Sequence, residues 1–167
     1  MDAIDRKIIR ELQANARLTN QELAERVGLS PSPCLRRVRN LEQAGVLASY
    51  AAVVDQDLYG LPISVFVSIK LERQTDATIR AFEAGVQTMD EVVECYLMTG
   101  NRDYLLRVVS DSLKSYERFI REVLTRLPGI ASIESSFAFR PVKKGAVLPP
   151  LSHFDEEAKP HRHPGRA

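Results

Sequence analysis

The chain has 167 residues, 44% of them apolar and 27% charged, with a formal net charge of +1. That length suits one domain or two small ones, and the apolar share is ample for a packed core, which excludes a disordered chain. No apolar run approaches the roughly 18–20 residues that span a bilayer, and Met1-Asp2-Ala3-Ile4-Asp5-Arg6 has neither the basic start nor the apolar stretch of a secretion signal, so a cytoplasmic protein without a membrane partner is expected.

Three helical patterns open the chain. Ile4, Ile8, Ile9 and Leu12 recur at helical spacing, with Asp2 and Asp5 near the positive N-terminal end. The second helix begins at Thr19-Asn20-Gln21-Glu22, a capping box in which the threonine oxygen takes the N–H of Glu22 and the glutamate reaches back. It runs through Leu23, Ala24 and Val27 to Gly28, a residue that tolerates the left-handed conformation ending many helices. The third starts within Ser30-Pro31-Ser32-Pro33, where either serine can be the cap and proline suits the first turn, and it ends at Gly45.

From Val46 the period changes. Val46–Val54 reads as a strand leading into a turn-prone hinge at Asp55-Gln56-Asp57. Ile63, Val65, Val67, Ile69 and Leu71 then alternate with polar residues as a half-buried strand. Residues 75–87 are expected to be helical, with Ile79, Phe82 and Val86 on one face. Val92–Met98 and Asp103–Val109 read as strands joined through Thr99-Gly100-Asn101-Arg102. Residues 112–126 form an amphipathic helix, Leu127-Pro128-Gly129 ends it, and Ile130–Phe139 is the last strand. This β-α-β-β-α-β order is that of the ferredoxin-like fold. The reading is therefore an α+β chain: a (winged) helix-turn-helix domain over 1–50, a linker strand and hinge over 51–61, a ferredoxin-like βαββαβ domain over 62–143, and a mobile Pro- and His-containing tail over 144–167.

Charge alone does not mark a nucleic-acid binder. Residues 1–50 carry eight Lys/Arg and six Asp/Glu, residues 51–140 ten and thirteen, and residues 141–167 five and three. Placement is more telling. Two short helices joined by a Gly-containing turn, behind a supporting helix, make a helix-turn-helix arrangement, whose last helix must bury one face and offer the other to the major groove. At about 100° per residue, Cys34, Val38 and Leu41 share one side of the third helix, while Ser32, Arg36, Arg39 and Asn40 point away and Arg37 flanks them. Arginine can pair bidentately with guanine or bind phosphate, asparagine can pair with adenine, and serine can meet either. Ser30 and Pro33 at the helix start and Thr19, Asn20 and Gln21 of the preceding helix complete the candidate DNA contacts.

The second candidate site is the turn at Thr99, Gly100, Asn101, Arg102 and Asp103. Gly100 permits a tight turn, and successive N–H groups there form a concave site suited to a carboxylate. Asp103 either accepts an ammonium group or holds the loop in shape. Leu97, Met98 and Ser135 are candidate pocket walls. An enzyme or metal protein is not expected: His153, His161 and His163 all lie in the tail, the two cysteines lack ligand spacing, and no phosphate loop or nucleophile–base pattern is present. The His161-Arg162-His163 tract is the one candidate for metal binding, and no cofactor is expected.

Taken in combination, these motifs resemble a known family. Ile4-Asp5-Arg6-Lys7-Ile8, Glu22-Leu23-Ala24-Glu25-Arg26-Val27-Gly28-Leu29-Ser30-Pro31-Ser32-Pro33-Cys34 and Arg37-Val38-Arg39-Asn40-Leu41-Glu42 are similar to the DNA-binding domain of Lrp/AsnC (feast/famine) transcriptional regulators. Glu94-Cys95-Tyr96-Leu97-Met98-Thr99-Gly100, Asp103-Tyr104-Leu105-Leu106 and Leu127-Pro128-Gly129-Ile130 are similar to the effector domain of that family, and Ser135-Ser136-Phe137-Ala138 and Leu148-Pro149 to a subgroup that includes regulators of branched-chain amino-acid or keto-acid and cysteine catabolism. The resemblance covers about residues 2–145. It implies a nucleoid-associated regulator that binds double-stranded DNA and pairs through its C-terminal sheets. It also implies assembly into octamers or similar discs and binding of an amino-acid effector between subunits near Thr99–Asp103. Where the family often has an acidic residue after the glycine, this chain has Asn101-Arg102, which leaves ligand identity open. A regulator of the same fold without effector sensing is the alternative.

Overall fold

Asp2 begins the first helix by accepting the N–H groups of Ile4 and Asp5, while Asp5 takes the N–H of Asp2 in return. In the computed structural model, which describes residues 1–143 and 147–149, this capping box opens α1 (Ala3–Ala14). A second one, Thr19 with Glu22, opens α2 (Asn20–Val27), which stops at Gly28 with φ +75°. Helix α3 (Pro31–Gln43) follows with Ser30 at the cap position but without a side-chain cap bond. A cap oxygen takes the N–H of the second or third helical residue; the third here is Pro33, which has none, so one of the two usual donors is missing. The expected mobile tail from residue 144, with its His161–His163 tract, lies outside the described residues apart from 147–149.

Ile8, Leu12, Leu23, Ala24, Val27, Cys34 and Leu41 bury together as the core of a first compact unit, Met1–Ala52. Val38 and Leu47 pack against that core from its edge. After α3 the chain turns at Gly45, and the N–H groups of Val46 and Leu47 both bond back to the carbonyl of Leu41. The strand expected at Val46–Val54 is absent: the segment has no ladder partner among the described residues, and Val53 is 94% exposed. Apolar and β-branched residues permit an extended backbone, but a strand requires a neighbour to receive its hydrogen bonds. No wing strand occurs within residues 1–52.

The second unit, Val53–Val142, holds β1 (Ile63–Leu71), α4 (Asp76–Val86), β2 (Val92–Leu97), β3 (Tyr104–Ser110), α5 (Leu113–Glu122), a 3-10 turn at Leu124–Arg126 and β4 (Ile130–Phe137). The sheet order is β2-β3-β1-β4 with every neighbouring pair antiparallel, so β3 sits between the two strands that α4 connects, a split β-α-β unit. Alternation on the central strands sends Val65, Val67, Ile69 and Leu71 with Tyr104, Leu106 and Val108 to one face, where Phe82, Tyr116, Phe119 and Leu124 cover them. Phe66, Ser68, Leu105 and Arg107 alternate to the other face, which neither α4 nor α5 covers. Residues 56–60 form a turn fixed to the strand start by Gln56, whose side-chain amide donates to the carbonyl of Leu61 and to Oγ of Ser64. Just before β4, Gly129 adopts φ +78°, with no room for a side chain beside Thr78.

Candidate functional site

The helix-turn-helix presents its polar residues unevenly. Arg36 and Arg39 are exposed and, among the described residues, neither makes a hydrogen bond or ion pair. Ser32, Asn40 and Gln43 are exposed with them, and Ser30 and the half-buried Pro33 lie at the helix start. Arg37 differs. Its guanidinium donates to Asp2 at 2.7 Å and to Asp5 at 2.8 Å, so it fastens α3 to the capping box of α1. These bonds, the one to Asp5 foremost, raise the Arg37 pKa. The N–H of Asp5, then Arg37, holds the Asp2 carboxyl below its ordinary value. Asn20 is also committed: its amide donates to the carbonyl of Pro31 at 2.9 Å, tying the start of α2 to the start of α3, while its own oxygen is buried without a partner. Thr19 is occupied as the α2 cap, and Gln21 lies on the surface with a 3.3 Å bond to Glu25. The sequence pattern placed Arg36, Arg37 and Arg39 together; the structure separates two free guanidiniums from one internal clamp.

The second candidate site is the β2–β3 turn. Gly100 has φ +103°, and a Cβ added there would meet nothing within 4 Å. The turn is closed by Met98 N–H to Asp103 O at 2.8 Å and anchored to β1 by Asp103 N–H to Ile69 O at 2.8 Å. Among the described residues nothing accepts from the backbone N–H of Gly100, Asn101 or Arg102, so these three donors are available to an anion. Thr99, Gly100 and Asn101 are exposed, as are Leu97 and Met98 beside them.

Asp103 faces inward. Its side chain is 6% exposed and accepts the Leu71 N–H at 2.7 Å, the Gln74 amide at 2.5 Å and the Lys70 ammonium at 3.2 Å. The Leu71 N–H above all holds its carboxyl below the ordinary value, with Lys70 and Gln74 adding to the effect against the cost of burial. Of its two expected roles, holding the loop in shape is the one these bonds serve. Arg102 reaches β4, donating to Oγ of Ser132 at 3.1 Å and meeting the Glu134 carboxylate. Lys70, Gln74, Ser132 and Glu134 are not among the site residues that the sequence singles out. Each sits about 30 residues from its partner, so no local spacing points to the contact.

Ser135 is not brought to the turn within one chain. It bonds to the hydroxyl of Tyr116 and pairs with Val67 on the far edge strand. Leu97 lies on the opposite edge, three strand spacings or about 14 Å across the sheet. A pocket of about 290 Å³ opens at the other end of β3, lined by Glu91, Ser110, Asp111, Ser115, Arg118 and Glu122. Leu61, Val109, Phe119 and Val123 line it as well, so its wall is mixed polar and apolar, and it includes none of the candidate site residues singled out from the sequence. Cys34 is buried in the first core, which raises its thiol; Cys95 is exposed on the surface, where partial desolvation and then the Glu83 carboxylate raise its thiol, so neither has the lowered value of an activated nucleophile.

Comparison with known proteins agrees with this division of labour. Residues 1–48 match the model of a winged helix-turn-helix DNA-binding domain, and residues 64–148 that of the Lrp/AsnC ligand-binding domain. The leucine-responsive regulatory protein of Rhizobium meliloti is 42% identical over 143 residues, covering 86% of this chain and 92% of that protein. The Bkd operon transcriptional regulator of Pseudomonas aeruginosa is 42% identical over 151 residues, covering 90% and 98%. Among solved structures, a transcriptional regulator of Neisseria meningitidis in complex with L-Met superposes with a TM-score of 0.87 at 38% identity, covering 92% of this chain and 99% of that one. With a DNA-binding helix-turn-helix ahead of a ligand-binding α+β domain, the chain belongs to the Lrp/AsnC family and is a transcription regulator, not an enzyme.

Proposed function

We propose that residues 1–50 bind operator DNA through the exposed face of α3, that 62–143 bind an amino acid and assemble the protein, and that 51–61 connect them. The carrying observation is that Arg36 and Arg39 stand unpaired beside Ser32 and Asn40 on the face of α3 opposite its buried Cys34 and Leu41. Unpaired, exposed guanidiniums can meet base edges or phosphates without first breaking an internal bond. Thr19, Gln21, Ser30 and Pro33 are the flanking backbone-contact positions, while Asn20 and Arg37 act by holding α3 in place. The effector occupies the Thr99–Asp103 turn, its carboxylate on the N–H groups of Gly100, Asn101 and Arg102, with Leu97 and Met98 beside its side chain and Asp103 as scaffold. Ser135 lines that pocket only from a second copy of the chain.

Self-assembly is supported by the sheet face opposite α4 and α5, where Phe66 is 39% and Tyr96 53% exposed around Leu105. A lone helix-turn-helix buries little DNA surface, so pairing two through this face is physically sensible; further association to an octamer or similar ring follows the family pattern. The site of action is the cytoplasm, on the nucleoid, and the target genes are those of amino-acid metabolism. Leucine and methionine are the first effectors to try, since one relative is leucine-responsive by name and one structural neighbour holds L-Met. A second reading, DNA binding without sensing, draws on the internal commitment of Asp103. One experiment separates the two: fluorescence anisotropy on the upstream DNA of its own gene, with and without each proteinogenic amino acid, alongside light scattering. A shift in affinity or size with one amino acid supports sensing; saturable DNA binding indifferent to all of them supports the second reading; no specific binding overturns both.

A further inference from the structure

Four charged groups meet at the foot of the turn: Lys70 with Asp103, and Arg102 with Glu134. Together they are neutral, and the two carboxylates are not equivalent. Asp103 is 6% exposed and bonded to the backbone N–H of Leu71, so it cannot leave without stranding that buried donor. Glu134 is 60% exposed on an edge strand and holds Arg102, itself 39% exposed, through one surface contact. Exposed pairs of this kind are weak and readily exchanged. The turn that carries Arg102 also has the free N–H groups of Gly100, Asn101 and Arg102 itself. Arg102 therefore belongs to both the turn's row of N–H donors and the ion pair.

We propose that Glu134 is an internal stand-in for the effector's carboxylate: a free α-amino acid displaces it from Arg102, takes the freed guanidinium and the N–H groups of the turn, and leaves Ser132 as the remaining β4 partner of Arg102. This rests on the reading of Thr99–Asp103 as the effector turn and adds its regulation. The incoming carboxylate restores the bond that Glu134 gives up, so the exchange is electrostatically balanced, and the extra N–H bonds give it direction. Glu134 thus sets the concentration at which the protein responds. An anion without the adjoining contacts gains nothing over the resident glutamate.

The test uses the full-length chain. Wild type, Glu134→Gln, Arg102→Gln and the double variant are screened by thermal shift against all proteinogenic amino acids, and those that bind are titrated by calorimetry. Glu134→Gln keeps shape and an acceptor for Arg102 but removes the competing charge. Its dissociation constant is expected to fall by about two- to fivefold, the equivalent of the ~0.5–1 kcal/mol of an exposed pair at 1.36 kcal/mol per factor of ten. That gain should vanish when Arg102 is already Gln. Tightening of the same size in the Arg102→Gln background, or no tightening while wild type binds, overturns the exchange and leaves the effector turn standing. Binding that appears only in Glu134→Gln supports it. If no amino acid binds any of the four proteins, the exchange and the effector reading both fall.

Discussion

Replacing Asp103 by alanine removes a carboxylate that three donors use, and the donors differ in what they lose. Lys70 is 36% exposed and Gln74 sits in a surface loop, so both can turn to water. Leu71 is 4% exposed, and its N–H is left without the 2.7 Å acceptor it has now. An unsatisfied buried donor costs about 1–3 kcal/mol, and in a domain of this size each kcal/mol lowers the melting temperature by roughly 4–8 °C. Asp103→Ala is therefore expected to melt some 5–20 °C lower. Asp103→Asn, whose amide oxygen still faces the Leu71 N–H, should lose much less while disturbing the amino-acid response. The pH dependence carries a second check. The folded pKa of Asp103 lies below 3.8, so its contribution is fully present above that value and is lost as pH falls through the lower, folded value. The gap between wild type and Asp103→Ala, measured by circular dichroism, should narrow as pH drops from 7 toward 3 and below. A variant melting within about 2 °C of wild type at pH 7, or a gap that widens in acid, would refute the structural role.

On the DNA side, Arg36→Ala and Arg39→Ala should each weaken operator binding by about 1–3 kcal/mol if the contact is bidentate to a base, with unchanged circular dichroism; loss on all sequences with a flatter salt dependence would mark phosphate contacts instead. Arg37→Ala should show its first effect as a lower melting temperature of the N-terminal unit, because it releases α3 from Asp2 and Asp5; full stability with selective loss of operator binding would return it to the DNA face. Phe66→Asp places a charge on the sheet face opposite α4 and α5 and is expected to reduce the particle to a smaller species in light scattering, while an unchanged mass would remove that face from assembly. Gly129→Ala combines φ +78° with a Cβ only 2.6 Å from Thr78 Cγ2, so urea unfolding should show a loss above about 1 kcal/mol.

What the sequence made legible follows from the range of each interaction. Capping by Thr19 and Glu22, the stop at Gly28 and the alternation of Ile63–Leu71 are set by residues within a few positions of one another, and all three are present in the fold. The order of elements then left few topologies, and the split β-α-β arrangement is the one adopted. Val46–Val54 misled because its residues suit an extended backbone, whereas pairing is a property of a distant partner that none of the described residues supplies. The same limit hid the difference among the arginines of α3. Arg36 and Arg37 are neighbours in sequence, but what distinguishes them is two aspartates 35 and 32 residues away. Asp103 was found by its place beside Gly100, yet the partners of its carboxylate are Lys70, Leu71 and Gln74, on a strand end and loop whose local pattern carries no mark of the contact.

That placement also bears on how a ligand at the turn can reach the rest of the assembly. An effector changes regulation only by binding one state better than another, and the coupling is typically about 1–3 kcal/mol. Strand β1 offers the shortest physical link. Its last residues, Lys70 and Leu71, are both held by Asp103, one through its ammonium on the face opposite α4 and α5 and one through its backbone. Two residues before Lys70 on the same face is Ser68, and two before that is Phe66, the apolar residue exposed on the surface proposed to pair. Releasing Arg102 from Glu134 alters charge on that face at Ser132 and Glu134, directly opposite Lys70 and Ser68 in the β1–β4 register. Binding at the turn would thus change the electrostatics at the margin of the assembly surface without any backbone rearrangement. A coupling of that origin is a few charge contacts in size, which is the magnitude required, and being exposed it should weaken as salt rises. The amino-acid response is therefore expected to fade at high ionic strength before ligand binding itself is lost.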